Sequence, residues 1–176
     1  FLPQWHDAHK MLTEWDEQAI GAYYTNRESS RTGFEAYYFL KKSYHDRRAS
    51  TNYQFQPDRH VNLAGGRVQQ KLTKTLTAVG EFGVQWGAQH PNIPIHAWGG
   101  YGYVKRTIDH KWKPYLQAGY WAMSGDDPNT TNRWEGWDPM FGRFPKWSEL
   151  YIYSQVPEYG VAYWTNTGMW QAEAGF

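Results

Sequence analysis

From about residue 18 onward, apolar and polar side chains alternate with a period of two. The clearest stretch runs from Leu76 to Gln89. There Leu76, Ala78, Phe82, Val84, Trp86 and Ala88 share one parity, and Thr77, Glu81, Gln85 and Gln89 share the other. A helix would scatter those polar residues around its circumference, whereas a strand collects them on one side. Phe34–Lys41, Leu116–Met123 and Trp170–Phe176 repeat the pattern. It predicts strands near 18–26, 33–44, 58–72, 76–90, 94–108, 111–125, 148–157 and 159–176.

Length and connection then narrow the fold. Several of these segments run for about 12 to 15 residues. Strands of globular proteins average roughly 5 or 6, and a tilted membrane-crossing strand needs about 9–11. Thr73-Lys74-Thr75 and Asp109-His110 mark tight turns, while the connections at 44–57 and 125–147 are long. Short turns at one end and long loops at the other are the asymmetry of an outer-membrane barrel. The expected fold is all-β, an antiparallel up-and-down transmembrane β-barrel. The alternative is a soluble carbohydrate-binding β-sandwich, in which aromatic rings stack on sugars.

Composition separates these readings from others. A mean hydropathy of −0.83 with few aliphatics would suit disorder. The 11 Trp, 14 Tyr and 8 Phe argue against it. A barrel accommodates both observations, because only alternate residues meet lipid and aromatics gather at the membrane interfaces. With no cysteine, disulfide scaffolds, thiolate metal sites and thiol catalysis are excluded. No run of 18 apolar residues exists to make a transmembrane helix. The first residues, Phe1-Leu2-Pro3-Gln4-Trp5, carry no initiator Met and no basic segment before an apolar core, so no targeting signal informs localisation. The net charge is only +1, yet residues 31–74 hold nine basic and three acidic side chains. Such a stretch is either solvated loop or a cationic surface meeting an anionic ligand.

One segment carries a family resemblance. Ser124-Gly125-Asp126-Asp127-Pro128-Asn129-Thr130 is followed by Glu135-Gly136-Trp137-Asp138-Pro139-Met140-Phe141-Gly142-Arg143-Phe144-Pro145-Lys146-Trp147-Ser148-Glu149-Leu150-Tyr151. In that order these fragments resemble the long loop of the alginate export domain family. The likeness covers residues 111–157, and elsewhere the strand pattern is compatible with it. It implies a Gram-negative outer-membrane β-barrel of roughly 18 strands. Residues 1–176 would then form part of a single barrel domain, supplying seven or eight strands, with 125–147 as a long loop. More strands are expected after Phe176, whose terminal aromatic is read as coincidence. The resemblance also implies a conduit rather than an enzyme. Its passenger would be an alginate-like anionic polysaccharide or a related solute. Its partners would be outer-membrane lipid and periplasmic export components, and its location the bacterial outer membrane.

A pore for a uronate polymer needs inward cations, because a carboxylate entering a narrow tube loses water. Arginine suits best, since its fork pairs with a carboxylate through two parallel bonds. The candidates are Lys41, Arg67, Lys71, Arg106 and Lys113, with Arg143 in the loop. Arg67, Gln69 and Lys71 share one strand parity. Val61, Leu63 and Gly65 share it too, while Val68 has the opposite parity, so the facing of this strand is open; a bulge at Gly65-Gly66 would switch faces midway.

Other chemistry finds less footing. Asp126, Asp127 and Asp138 are weak calcium candidates without EF-hand spacing. The bland account makes Asp126–Asn129 a turn and lets Trp137, Phe141, Phe144 and Trp147 fold the loop onto the barrel. No glutamate pair can be placed at a glycosidase separation from sequence. The seven histidines form no HExxH pattern, and no phosphate-cradling glycine loop occurs. No cofactor is expected. The near-neutral charge and the hairpin series make nucleic acid an unsuitable partner.

Overall fold

The computed structural model describes residues 15–45, 58–89, 92–138, 140 and 166–176. These contain seven strands: β1 Trp15–Asn26, β2 Thr32–His45, β3 Arg59–Lys71, β4 Leu76–Gln89, β5 Ile93–Thr107, β6 Tyr115–Met123 and β7 Thr167–Gly175. They form one sheet in chain order, and each neighbour pairs antiparallel with the next. The sheet is open: among the described residues β1 does not pair with β7. It is a wall segment of an up-and-down barrel. The strand expected at 148–157 and the first part of that at 159–176 lie outside the described residues.

Alternation gives the sheet two unlike faces. One face carries Phe34, Tyr38, Val68, Phe82, Val84, Trp86, Trp98, Val104, Leu116, Tyr120 and Trp170, all exposed. An uncovered apolar face of that extent is far larger than soluble monomers tolerate, and it suits lipid. Phe82 and Trp86, 55% and 40% exposed, would be sealed inside a sandwich. They are not, and a single sheet excludes the two-layer alternative. The opposite, inward face carries Glu35, Tyr37, Lys41, Arg67, Glu81, Gln85, Tyr101 and Trp121.

Local chemistry makes the short connections. In the β1–β2 turn, Ser29 Oγ accepts from the backbone N–H groups of Arg31 and Thr32 at 3.2 and 3.1 Å. In the β3–β4 turn, Thr73 Oγ1 does the same for Thr75 and Leu76 at 3.2 and 3.0 Å. Such hydroxyl turns replace the ladder where the chain reverses. These turns and that between β5 and β6 lie at one end of the sheet. The longer connections after β2 and β6 lie at the other, with one short link between Gln89 and Ile93. The expected asymmetry holds apart from that link.

The bulge does not occur. Pairing runs from Thr32↔Gln70 to Ser43↔Arg59 without interruption, and from Arg59↔Gln89 to Lys71↔Thr77. Val61 and Leu63 therefore face inward with Arg67 and are buried, while Val68 faces outward. Leu63 shares with the Trp137 ring the space beside Gly83, on the side to which the segment after β6 returns.

That segment folds back onto the inward face. Trp134 forms a parallel bridge with Ile95. His96 N donates to Trp134 O, and Trp134 N donates to Pro94 O, each at 2.8 Å. Ser124 ties the base of the loop, since its Oγ donates to Glu135 O at 2.7 Å and its O accepts from Trp137 N at 3.0 Å. Ile95, which this segment bridges, is 1% exposed, as is Val61 on β3.

Candidate functional site

Register assembles the site on the inward face. Thr25, Glu35, Arg67, Glu81, Tyr101, Trp121 and Met169 are successive Cα partners across the whole sheet. Arg67 thus stands between two carboxylates on adjacent strands. Glu35 accepts from Tyr23 Oη at 2.6 Å, from Arg27 Nη2 at 3.0 Å and from Arg67 Nη1 at 3.4 Å. Arg67 also donates to Gln69 Oε1 at 3.2 Å and engages the hydroxyls of Tyr101 and Tyr103.

Tyrosines knit the row together. Tyr37 Oη donates to Glu81 Oε1 at 2.8 Å, so its side chain crosses β3 to reach β4. Gly65 makes this crossing feasible, because a Cβ there would lie 2.6 Å from the Tyr37 ring and hydroxyl. Tyr23 stacks on Tyr37 at 5.8 Å, and Tyr101 stacks on Trp121 at 4.1 Å with 8° between planes. The wall therefore offers charge, hydroxyls and flat apolar rings side by side.

At the short-turn end of this row lies a cavity of about 360 Å³, lined by Arg27, Arg31, Arg67, Lys71, Ser29 and Glu35 among others. Its four basic side chains outnumber its one acid. Lys71 is exposed at the end of β3, and its backbone N donates to Arg31 O at 2.8 Å. The register also brings Lys105 to the inward face, since Thr77 pairs with both Lys71 and Lys105. Its Nζ sits 3.5 Å over the Tyr115 ring.

At the long-loop end the folded-back segment lies against the inward face of the wall. Gln85 Nε2 donates to Asp138 O at 2.6 Å, and Asp138 N donates to Gln85 Oε1 at 2.8 Å. The Asp138 carboxylate pairs with Arg59, and Lys41 Nζ lies 3.8 Å from its Oδ1. Lys41 also donates to Met140 O at 2.7 Å. Trp137 rests on the backbone of β4 and β5. A Cβ on Gly99 would come within 3.0 Å of its ring, and one on Gly83 within 3.4 Å. Two bare glycines side by side make the seat for that indole.

The expected cationic residues thus part company. Arg67 and Lys71 share the inward face at the mouth. Lys41 is inward but buried beneath the loop, where it shares the Asp138 carboxylate with Arg59. Arg106 is brought to the other face, in a row with Leu76, Leu116 and Ala174. Parity decides this, because Arg106 stands an odd number of residues from Tyr101 and Tyr103. Lys113 lies in the β5–β6 turn with φ 46°, its N donating to His110 O at 2.8 Å. Arg143 lies outside the described residues.

The loop acids have protein partners. Asp126 Oδ1 accepts from Glu135 N, and Asp127 Oδ1 from Asn129 N, each at 2.9 Å. Among the described residues, no three His, Asp or Glu side chains are grouped to hold a metal ion. Arg27, Arg31, Arg59, Lys105 and Gln85 were not singled out by sequence. Parity alone could have found Lys105, which lies in step with Tyr101 and Tyr103 at every second position.

No curated protein and no solved structure matches this chain significantly. The family model described as alginate export matches residues 4–156, and the chain belongs to that family of outer-membrane transport β-barrels.

Proposed function

We propose that the inward face lines a passive conduit through the bacterial outer membrane for an anionic polysaccharide, alginate-like, or a related small anionic solute. The observation that carries this reading is the cluster of Arg27, Arg31, Arg67 and Lys71 around one cavity at the short-turn end. A carboxylate shedding water there meets guanidinium forks that replace its hydration. Rings of charged side chains are a general means of ion selection in channels.

The neighbouring residues moderate that attraction. Glu35 and Glu81 flank Arg67, so the guanidinium is oriented and partly neutralised before any solute arrives. Transport needs binding that is favourable yet weak enough to release. The Tyr101–Trp121 stack gives the carbon faces of a sugar an apolar surface between charged contacts. In an outer-membrane barrel the short turns face the periplasm, so the cationic mouth would meet a polymer leaving that compartment. Periplasmic export components would deliver it there.

Planar-bilayer recording tests the reading. The double variant Arg67→Glu with Lys71→Glu should lower anion conductance or reverse the ion preference. An unchanged preference would remove both residues from the conducting path.

A further inference from the structure

The lipid-facing side carries a feature that the conduit does not use. Between β5, β6 and β7 runs a groove of about 500 Å³, bordered by Val104, Leu116, Ala118, Ala172 and Ala174 and ending at Arg106. The small side chains of Ala118, Ala172 and Ala174 leave a trough beside the bulkier Val104 and Leu116. The acid that touches this groove, Glu173, accepts a hydrogen bond from Tyr115 and is thereby held toward the inward face.

Arg106 stands one residue before the end of β5, on an otherwise apolar surface. A charge on the lipid side of a barrel is tolerated near the interface, where the side chain can reach headgroups. Just beyond it, the β5–β6 turn presents Ile108, His110, Lys111, Trp112 and Lys113, all exposed. Trp112 is 66% exposed, and Lys111 Nζ lies 5.2 Å from its ring centre. Lys74 is exposed in the neighbouring short turn. Arg106 on the outward face and Lys111 and Lys113 in the adjoining turn set three cations against a single turn acid, Asp109, at this end of β5.

We propose that this groove holds an acyl chain of an anionic glycerophospholipid, whose phosphate headgroup is gripped by Arg106 and the Lys111–Lys113 turn. The apolar trough fits the chain, the cations fit the phosphodiester, and the indole fits the interfacial region between them. The short-turn end places the site in the periplasmic leaflet. The inference rests on the membrane placement of the outward face and is independent of which solute passes inside.

Native mass spectrometry of the delipidated full chain in detergent tests it, by titration with phosphatidylglycerol or with phosphatidylethanolamine of the same acyl composition. Each basic side chain near a headgroup is worth about fivefold in affinity. The wild type should retain phosphatidylglycerol at least about fivefold more tightly, and Arg106→Gln should reduce that preference by a similar factor. The pair Lys111→Gln with Lys113→Gln, outside the strands, should reduce it without touching barrel assembly. Equal retention of the two lipids by the wild type overturns the proposal. So does an undiminished preference in both variants, or a lipid-free dimer through this face. Arg106→Gln should leave ion preference unchanged, so failure here and failure of the conduit reading are separately visible.

Discussion

Gln85 and Asp138, separated by 53 positions, exchange a pair of hydrogen bonds through one buried side-chain amide. The amide satisfies both polar groups of the Asp138 backbone, which a returning loop could not otherwise bury. Replacing Gln85 with Leu removes both partners at once, and each orphaned buried group costs about 1–3 kcal/mol. The loop should detach while the strands persist. Limited proteolysis should then cut within 124–138, and single-channel conductance should rise. A variant with an intact loop and unaltered conductance would show that this pair does not hold the obstruction in place.

Gly65 lies under Tyr37. Gly65→Ala should displace the ring, because the new methyl would overlap it at 2.6 Å. The strand itself is not threatened, since the obstacle is a side chain. Glu81 then loses the Tyr37 hydroxyl, keeps that of Tyr101 and presents a barer carboxylate. The expected result is a shift of reversal potential toward cations, matched by Tyr37→Phe, which deletes the same hydroxyl. Divergent behaviour of the two variants would argue against this link.

Glu35 restrains two guanidinium groups. Glu35→Gln removes the charge that holds Arg27 and Arg67 at 3.0 and 3.4 Å. Anion preference should increase, and it should fall more steeply with salt than in the wild type, because exposed cations are screened within about 10 Å at 0.1 M ionic strength. Reversal potentials across a salt series would measure this. A loss of anion preference would mean that Glu35 positions Arg67 for the solute rather than restraining it.

Val84 points outward from β4 and is exposed. An arginine there would sit in hydrocarbon, at a cost of about 2–4 kcal/mol if near the bilayer midplane. Val84→Arg should reduce the heat-resistant folded form seen on unheated electrophoresis. Gln171→Arg, on the polar face of β7, should leave it intact. Equal tolerance of both would contradict the assignment of faces.

Alternation made β4 readable in the sequence to its last residues, because Phe82, Val84 and Trp86 meet lipid while Glu81 and Gln85 do not. β3 was harder. Val61 and Leu63 are apolar on the inward face, where the segment around Trp137 returns to the same stretch of wall. A local pattern cannot report what a remote loop places on the wall, and the two readings of this strand's facing, with or without a bulge at Gly65-Gly66, arose from that gap. The inward placement of Arg67 and Lys71 follows from parity once the strand is continuous. The grouping of Arg67 with Glu35, Glu81 and Tyr101 depends on register across several hairpins, which no single strand encodes. Trp137 was expected to fold onto the barrel, and it does. Nothing in the sequence marked Gly83 and Gly99 as its seat.

The described strand partners of Trp134–Met140 lie on β2–β5: Lys41, Arg59, Gln85, Ile95 and the two glycines beneath Trp137. In the conduit proposed above, the returning segment narrows the passage, and that obstruction and the staves behind it are one cassette. Its calibre travels with those four staves, whatever completes the circumference. Insertions or divergence elsewhere around the cylinder could widen or reshape it while leaving this throat as built.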